Sequence, residues 1–213
     1  MKIKTFSEGL LDSNEYLVWN GDGGHGIVID CGNGAGKVKR FADENGITVD
    51  GIILTHGHYD HAEYAEDHRR EFPEAKLLCH EKELCVLRDS AANLTPWFGK
   101  AKSYPEPDET FKNGDDVVIR GNSPENDIVF RVIDAPGHTP GGFLLLCEAE
   151  KIMFTGDMLF KRGRGRTDFP GGDESAMRDT LRMIGGMDDG IAFYSGHGDP
   201  STVGAEKTWL MRG

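Results

Sequence analysis

Thr55-His56-Gly57-His58-Tyr59-Asp60-His61 decides how this 213-residue chain is read. The stretch follows a compact apolar strand over 51–55, with Ile52-Ile53-Leu54 at its centre, and runs into a helix expected over 60–72. Extended backbone places side chains two apart on one side, so His56 and His58 aim their imidazoles together. Asp60 and His61 then fall in the first helical turn, where the helix N-terminus favours an anionic group. Four metal-ligand side chains within six residues are expensive to bury without a metal. The chain has eight histidines, and three of them stand here. A lone loop histidine is ordinarily solvated or hydrogen-bonded, and His25, His68 and His80 are read that way. The trio is not.

Three further ligand types lie downstream, each directly after a segment read as a strand. They are His138 in Ala135-Pro136-Gly137-His138-Thr139-Pro140-Gly141, Asp157 in Phe154-Thr155-Gly156-Asp157, and His197 in Ser195-Gly196-His197-Gly198. Open α/β folds place ligands at the carboxyl ends of strands. A glycine beside each ligand lets the backbone turn sharply beneath a small ion. Imidazole and carboxylate ligands without thiolate suit zinc, iron or manganese.

Outward from these motifs the chain alternates short apolar runs with amphipathic segments. Strands are expected over 15–19, 26–30, 51–55, 76–79, 116–120, 127–133, 142–147, 151–154 and 191–194. Helices are expected over 35–45, 60–72, 81–88, 174–184 (capped by Asp173) and 204–211. Two similar halves of this kind imply two sheets packed together and covered by helices, in one domain spanning 1–213. The stretch 91–113 holds Pro96, Pro105 and Pro107 without a clean period, which marks a functional flap. Its Trp97 and Phe98 are either one wall of a substrate cleft or part of the core.

Composition narrows the classes. With 38% hydrophobic and 28% charged residues, the chain has material for a core, which excludes disorder and collagen-like repeats. A net charge of −12 argues against a nucleic-acid partner. No apolar run approaches the roughly 18 residues that span a bilayer, and Met1 to Leu11 holds no signal-like apolar stretch. A cytoplasmic protein without a membrane partner is therefore expected. Cys31, Cys79, Cys85 and Cys147 form no Cys-x-x-Cys pair and are expected to be buried free thiols.

Taken in order, these motifs resemble the metallo-β-lactamase superfamily along nearly the whole chain. That resemblance implies an α/β, four-layer αβ/βα sandwich with metals at one edge. It implies that His56, His58 and His138 hold a first metal, that Asp60, His61 and His197 hold a second, and that Asp157 bridges them. The implied cofactors are two divalent ions, zinc foremost, with iron or manganese as alternatives. Several branches fit poorly. Zinc β-lactamases usually have Cys where Asp157 stands, diiron oxygen and nitric-oxide reductases carry a carboxylate in place of His58, and nuclease branches need an inserted domain.

The run Gly156-Asp157-Met158-Leu159-Phe160, the run from Gly165 to Gly172 and the run from Gly196 to Thr202 are similar to glyoxalase II-like hydrolases. The match is to the short bacterial and archaeal hydroxyacylglutathione hydrolase-like members, which lack a C-terminal helical domain. Gly165-Arg166-Thr167-Asp168-Phe169 also resembles persulfide dioxygenases, which hold one iron with two His and one Asp. The resemblance implies hydrolysis of a thioester such as S-D-lactoylglutathione or a related thiol conjugate. Metal lowers the pKa of bound water from about 15.7 to about 7, which supplies hydroxide at neutral pH. Asp60 is the candidate to orient it and accept its proton, unless it merely caps its helix. Arg166 occupies the slot of a basic residue that binds a substrate carboxylate, a task suited to a guanidinium. Lys161, Arg162 and Arg164 read as a solvated loop, and Asp168 as a loop tie through backbone bonds.

Overall fold

Period-two alternation sorts the strand side chains into separate apolar layers. In β4 (Thr48–Leu54), Ile52 and Leu54 face helices while Ile53 faces the other sheet. The computed structural model describes residues 1–21 and 24–210. Before β4 come β1 (Lys2–Phe6), β2 (Glu15–Trp19), β3 (His25–Ile29) and α1 (Gly36–Glu44). After it come α2 (Tyr59–Ala62), α3 (Ala65–Glu71), β5 (Lys76–His80), α4 (Leu84–Arg88), α5 (Thr95–Phe98) and β6 (Glu109–Phe111). The second half holds β7 (Asp116–Ile119), β8 (Ile128–Asp134), β9 (Phe143–Cys147), β10 (Ile152–Gly156) and α6 (Glu174–Gly185). It closes with β11 (Ala192–Ser195), β12 (Ser201–Thr202) and α7 (Val203–Leu210).

The first sheet runs β1-β2-β3-β4-β5-β6, antiparallel up to β3 and parallel from β3 onward. The second runs β12-β11-β10-β9-β8-β7, with β10 and β11 its parallel pair. Tyr16, Val18, Ile29 and Ile53 of the first sheet meet Phe130, Val132, Leu145 and Phe154 of the second. Val38, Ala42 and Ala65 from α1 and α3 cover the outer face of the first sheet. Met177, Leu181 and Ile184 from α6, with Val203 and Leu210 from α7, cover that of the second. Each fully buried side chain of this size contributes about 1.5–3 kcal/mol. Helix, sheet, sheet, helix is the αβ/βα order expected.

The differences have local causes. β3 stops at Ile29 because Asp30 turns to φ +64°, leaving the strand one residue early. The helix expected over 60–72 divides after Ala62. The Asp60 carbonyl accepts the Ser13 hydroxyl, and the Tyr64 N–H donates to the Cys31 carbonyl, so an ordinary helical bond between residues 60 and 64 is replaced. β1 was not expected. It is a lysine-bearing edge strand, exposed over most of its length, so its alternation is faint. The flap contains α5 and β6. Asp173 caps α6 as expected, accepting from the N–H groups of Ser175 and Ala176. The four cysteines are free, but Cys85 is exposed rather than buried. Met211, the expected end of the last helix, lies outside the described residues. No described helix is long and apolar enough to cross a membrane.

Candidate metal centre

All seven sequence-predicted ligands meet at one edge of the two sheets, because each follows the carboxyl end of a strand. β4 delivers His56 and His58, and α2 immediately adds Asp60 and His61. The ends of β8, β10 and β11 deliver His138, Asp157 and His197. Ligand atoms group as His56-His58-His138, as His56-His61-Asp157 and as Asp60-His61-His197, within 4.8 Å in each group. His58 Nδ1 lies 3.0 Å from His138 Nε2, and His197 Nε2 lies 3.1 Å from Asp60 Oδ2. Asp157 stands between the lobes. Its Oδ2 is 3.7 Å from His138 Nε2 and 3.5 Å from His197 Nε2, and its Oδ1 is 3.4 Å from His61 Nε2.

The donor set fits divalent metal. His56 Nε2, His58 Nε2 and Asp157 Oδ1 are buried with no hydrogen-bond partner among the described residues. Buried polar atoms are normally paired, and a cation would supply the missing partner. Burial, reinforced by neighbouring imidazoles, lowers the pKa of His56 and His58 well below 6.5. Burial lowers His138 as well, against the pull of Asp157. Neutral rings are what a metal requires. His61 goes the other way: burial opposes its charge, but Asp157, Asp60 and Asp30 outweigh it and lift the ring to about 10. Asp60 is held as a carboxylate, since His61 and His197 outweigh the effect of burial.

Residues behind the ligands fix their orientation, and sequence reading missed two of them. Asp30 Oδ2 lies 2.8 Å from His61 Nδ1, while its other oxygen accepts the Thr55 N–H at 2.7 Å. This leaves His61 Nε2 to face the cluster. Glu83, with no exposure, accepts from the Gly57 N–H, the Thr139 hydroxyl and the Gly141 N–H, each at 3.0 Å. It thereby ties the His56–His58 loop to the His138 loop. Burial pushes its carboxyl up to about 7 despite those donors. A carboxylate closing a buried apolar run was a legible sign for Asp30. Glu83, in the charged start of the helix expected over 81–88, carried none. The His138 Nδ1 lies 2.7 Å from the Arg166 carbonyl oxygen. Gly196 permits the last approach, since a Cβ there would stand 2.1 Å from Asp157 Oδ1.

The cluster opens onto a cleft of about 450 Å³. Trp97 and Phe98 line it and are exposed, so the wall reading of the flap holds and the core reading does not. Leu11, Leu94, Phe160 and Phe169 complete the apolar lining. Arg166 reaches the cleft, but its Nε and Nη2 are bonded to the two carboxylate oxygens of Asp168, at 2.5 and 2.6 Å. Asp168 thus ties the loop through this side-chain pair. Arg164 is held likewise by Glu174, and Lys161 pairs with Asp199.

Comparison with known proteins agrees with this geometry. The chain is 30% identical to hydroxyacylglutathione hydrolase GloC of Haemophilus influenzae, in a match spanning 97% of this chain and 95% of that protein. Its fold is similar to that of BLEG-1 B3 metallo-beta-lactamase, with a TM-score of 0.86 at 28% identity over 97% of both chains. It is also similar to ETHE1 from Myxococcus xanthus, with a TM-score of 0.71 at 26% identity over 97% of this chain and 82% of that one. The family model of the metallo-beta-lactamase superfamily matches residues 9–197, a span that contains every ligand described above. The chain belongs to the metallo-beta-lactamase superfamily.

Proposed function

We propose that the protein is a metal-dependent thioester hydrolase, acting on S-D-lactoylglutathione or a related thiol conjugate. The observation that carries this reading is the end-to-end match to a hydroxyacylglutathione hydrolase by a chain whose ligand set is complete in both lobes. His56, His58 and His138 would hold one divalent ion, and Asp60, His61 and His197 the other, with Asp157 shared between them. Zinc is the metal we assign. Bound there, such ions would supply hydroxide at neutral pH and polarise an acyl carbonyl.

The chain's own residues do the rest. Asp60, ionised and hydrogen-bonded to His197, presents an acceptor toward the cleft and orients the attacking water. Asp30, Glu83 and the Arg166 carbonyl hold the imidazoles and their loops in place. Water oxygen bonds to the acyl carbon and the carbon–sulfur bond breaks; one water proton ends on the departing sulfur, giving a thiol, and the other is released to solvent, leaving a carboxylate. Thiolate departs readily, so no strong general acid is needed.

One observation favours a second reading. The likeness to ETHE1, together with the Gly165 to Phe169 motif, supports an iron-dependent persulfide dioxygenase. Metal content of protein purified without added metal, measured beside rates on S-D-lactoylglutathione and glutathione persulfide, separates the two. Thioester cleavage without persulfide-dependent oxygen uptake supports the hydrolase. Oxygen uptake at one iron per chain, without thioester cleavage, replaces it.

A further inference from the structure

Exposed apolar side chains cluster at the metal cleft. Among the described residues the exposed large hydrophobics are Leu11, Trp97, Phe98, Val118, Val129 and Met183, and the first three line this cleft. Trp97 is 66% and Leu11 55% exposed. Apolar surface grouped this way marks a binding site rather than the scattered exposure of an ordinary surface. The backbone adds an independent sign. Leu11 and Leu94 both line the cleft at φ +54° and +67°, a left-handed conformation that is costly for leucine and accumulates at functional positions.

These side chains are braced in place. Phe98 stacks on Tyr59 with ring centroids 4.5 Å apart, and Trp97 meets the edge of Phe169 at 5.4 Å. Phe169 carries the Arg166 guanidinium 4.0 Å from its ring centre and abuts His58 at 5.6 Å. An apolar wall therefore runs from the rim to a metal-ligand imidazole. Rigid aromatic surface of this kind binds at low entropic cost.

Charge points the same way. The arginines lining the cleft, Arg164 and Arg166, are each bonded twice to an acid, Glu174 and Asp168. A substrate carboxylate reaching the remaining N–H groups of Arg166 meets a guanidinium whose charge Asp168 already offsets, with the Asp168 carboxylate beside it. An exposed pairing of this kind yields little.

We infer that the cleft selects thioesters whose thiol carries an uncharged, flat apolar group, which packs on the Trp97–Phe169 wall; this rests on the thioester-hydrolase reading. The D-lactoyl thioesters of benzyl mercaptan and of glutathione share one acyl group and test it on the zinc-loaded full chain. The benzyl thioester should show a kcat/KM at least about tenfold higher. Trp97→Ala should lower the benzyl value about tenfold, through KM, and the glutathione value by no more than about threefold. Faster cleavage of the glutathione thioester, with equal losses in the variant, overturns the inference and leaves the hydrolase reading standing. If neither thioester is cleaved, the hydrolase reading fails, and calorimetry with benzyl methyl sulfide tests the wall by itself. Binding to the wild type that Trp97→Ala weakens upholds the apolar selection, and no binding overturns it.

Discussion

Glu83 accepts the backbone N–H of Gly57 at 3.0 Å, from a side chain wholly removed from solvent. Gly57 separates His56 from His58, and the other Glu83 oxygen holds Thr139 and Gly141, just beyond His138. One carboxylate therefore sets the spacing between ligand loops that grow from different sheets. A metal lobe assembled from distant chain segments needs such a tie, because its histidines must converge before an ion binds.

Removing that tie should cost both stability and metal. Glu83→Ala leaves the Gly57 N–H, the Gly141 N–H and the Thr139 hydroxyl without their acceptor. Each unsatisfied buried donor costs about 1–3 kcal/mol, and partial relaxation brings the expected loss to about 2–4 kcal/mol. Urea denaturation of metal-free protein reads the first effect, and zinc titration reads the accompanying fall in affinity. A stability within about 0.5 kcal/mol of wild type contradicts the role.

The same group gives the protein a pH signature. Burial raises the Glu83 pKa from 4.5 to about 7, so the folded chain binds this proton more tightly than the unfolded one. Its contribution to stability is full below pH 4.5, declines as pH rises through 7, and then levels off. The decline amounts to about 3 kcal/mol at most. Glu83→Gln cannot titrate, so the stability difference between wild type and variant should shift toward the variant across this window. Denaturation curves collected from pH 4.5 to pH 8 on metal-free protein test this. Parallel profiles for the two proteins refute it.

Arg166 should behave as a brace. Its guanidinium is engaged with Asp168 and lies on the Phe169 ring. Arg166→Ala is expected to lower kcat/KM about three- to tenfold for charged and neutral thioesters alike, by loosening Phe169. A loss confined to the carboxylate-bearing substrate shows instead that Arg166 anchors that carboxylate.

Gly196→Ala is the sharpest probe of packing at the second lobe. The added methyl carbon would meet Asp157 Oδ1 at 2.1 Å and His61 Cε1 at 2.7 Å, neither of which is a tolerable contact. The variant should keep its sheets by circular dichroism yet lose metal bound through Asp157. Metal content equal to wild type contradicts this.

The candidate cluster was legible because four of its seven residues fall within one short run and the other three share a local context. His56, His58, Asp60 and His61 declare themselves by spacing, and His138, Asp157 and His197 by sitting beside glycine at strand ends. The sandwich followed from two runs of alternating strands and helices. What stayed hidden depends on contacts between distant segments. Glu83 looks like any charged residue of a short helix until Gly57 and Gly141 are seen against it. The break after Ala62 needs Ser13 and Cys31, and Phe169 becomes part of a wall only when Trp97 reaches it across the cleft. The Arg166 position was foreseen, but its commitment to Asp168 depends on how the loop folds back.

The central claim is that seven side chains form two joined metal lobes, and counting metal per chain tests it most directly. Inductively coupled plasma analysis of zinc-saturated, gel-filtered protein should give about two equivalents for the wild type and about one for His197→Ala, with the fold retained in both. Saturation of the wild type at one equivalent, unchanged by loss of His197, would contradict the account.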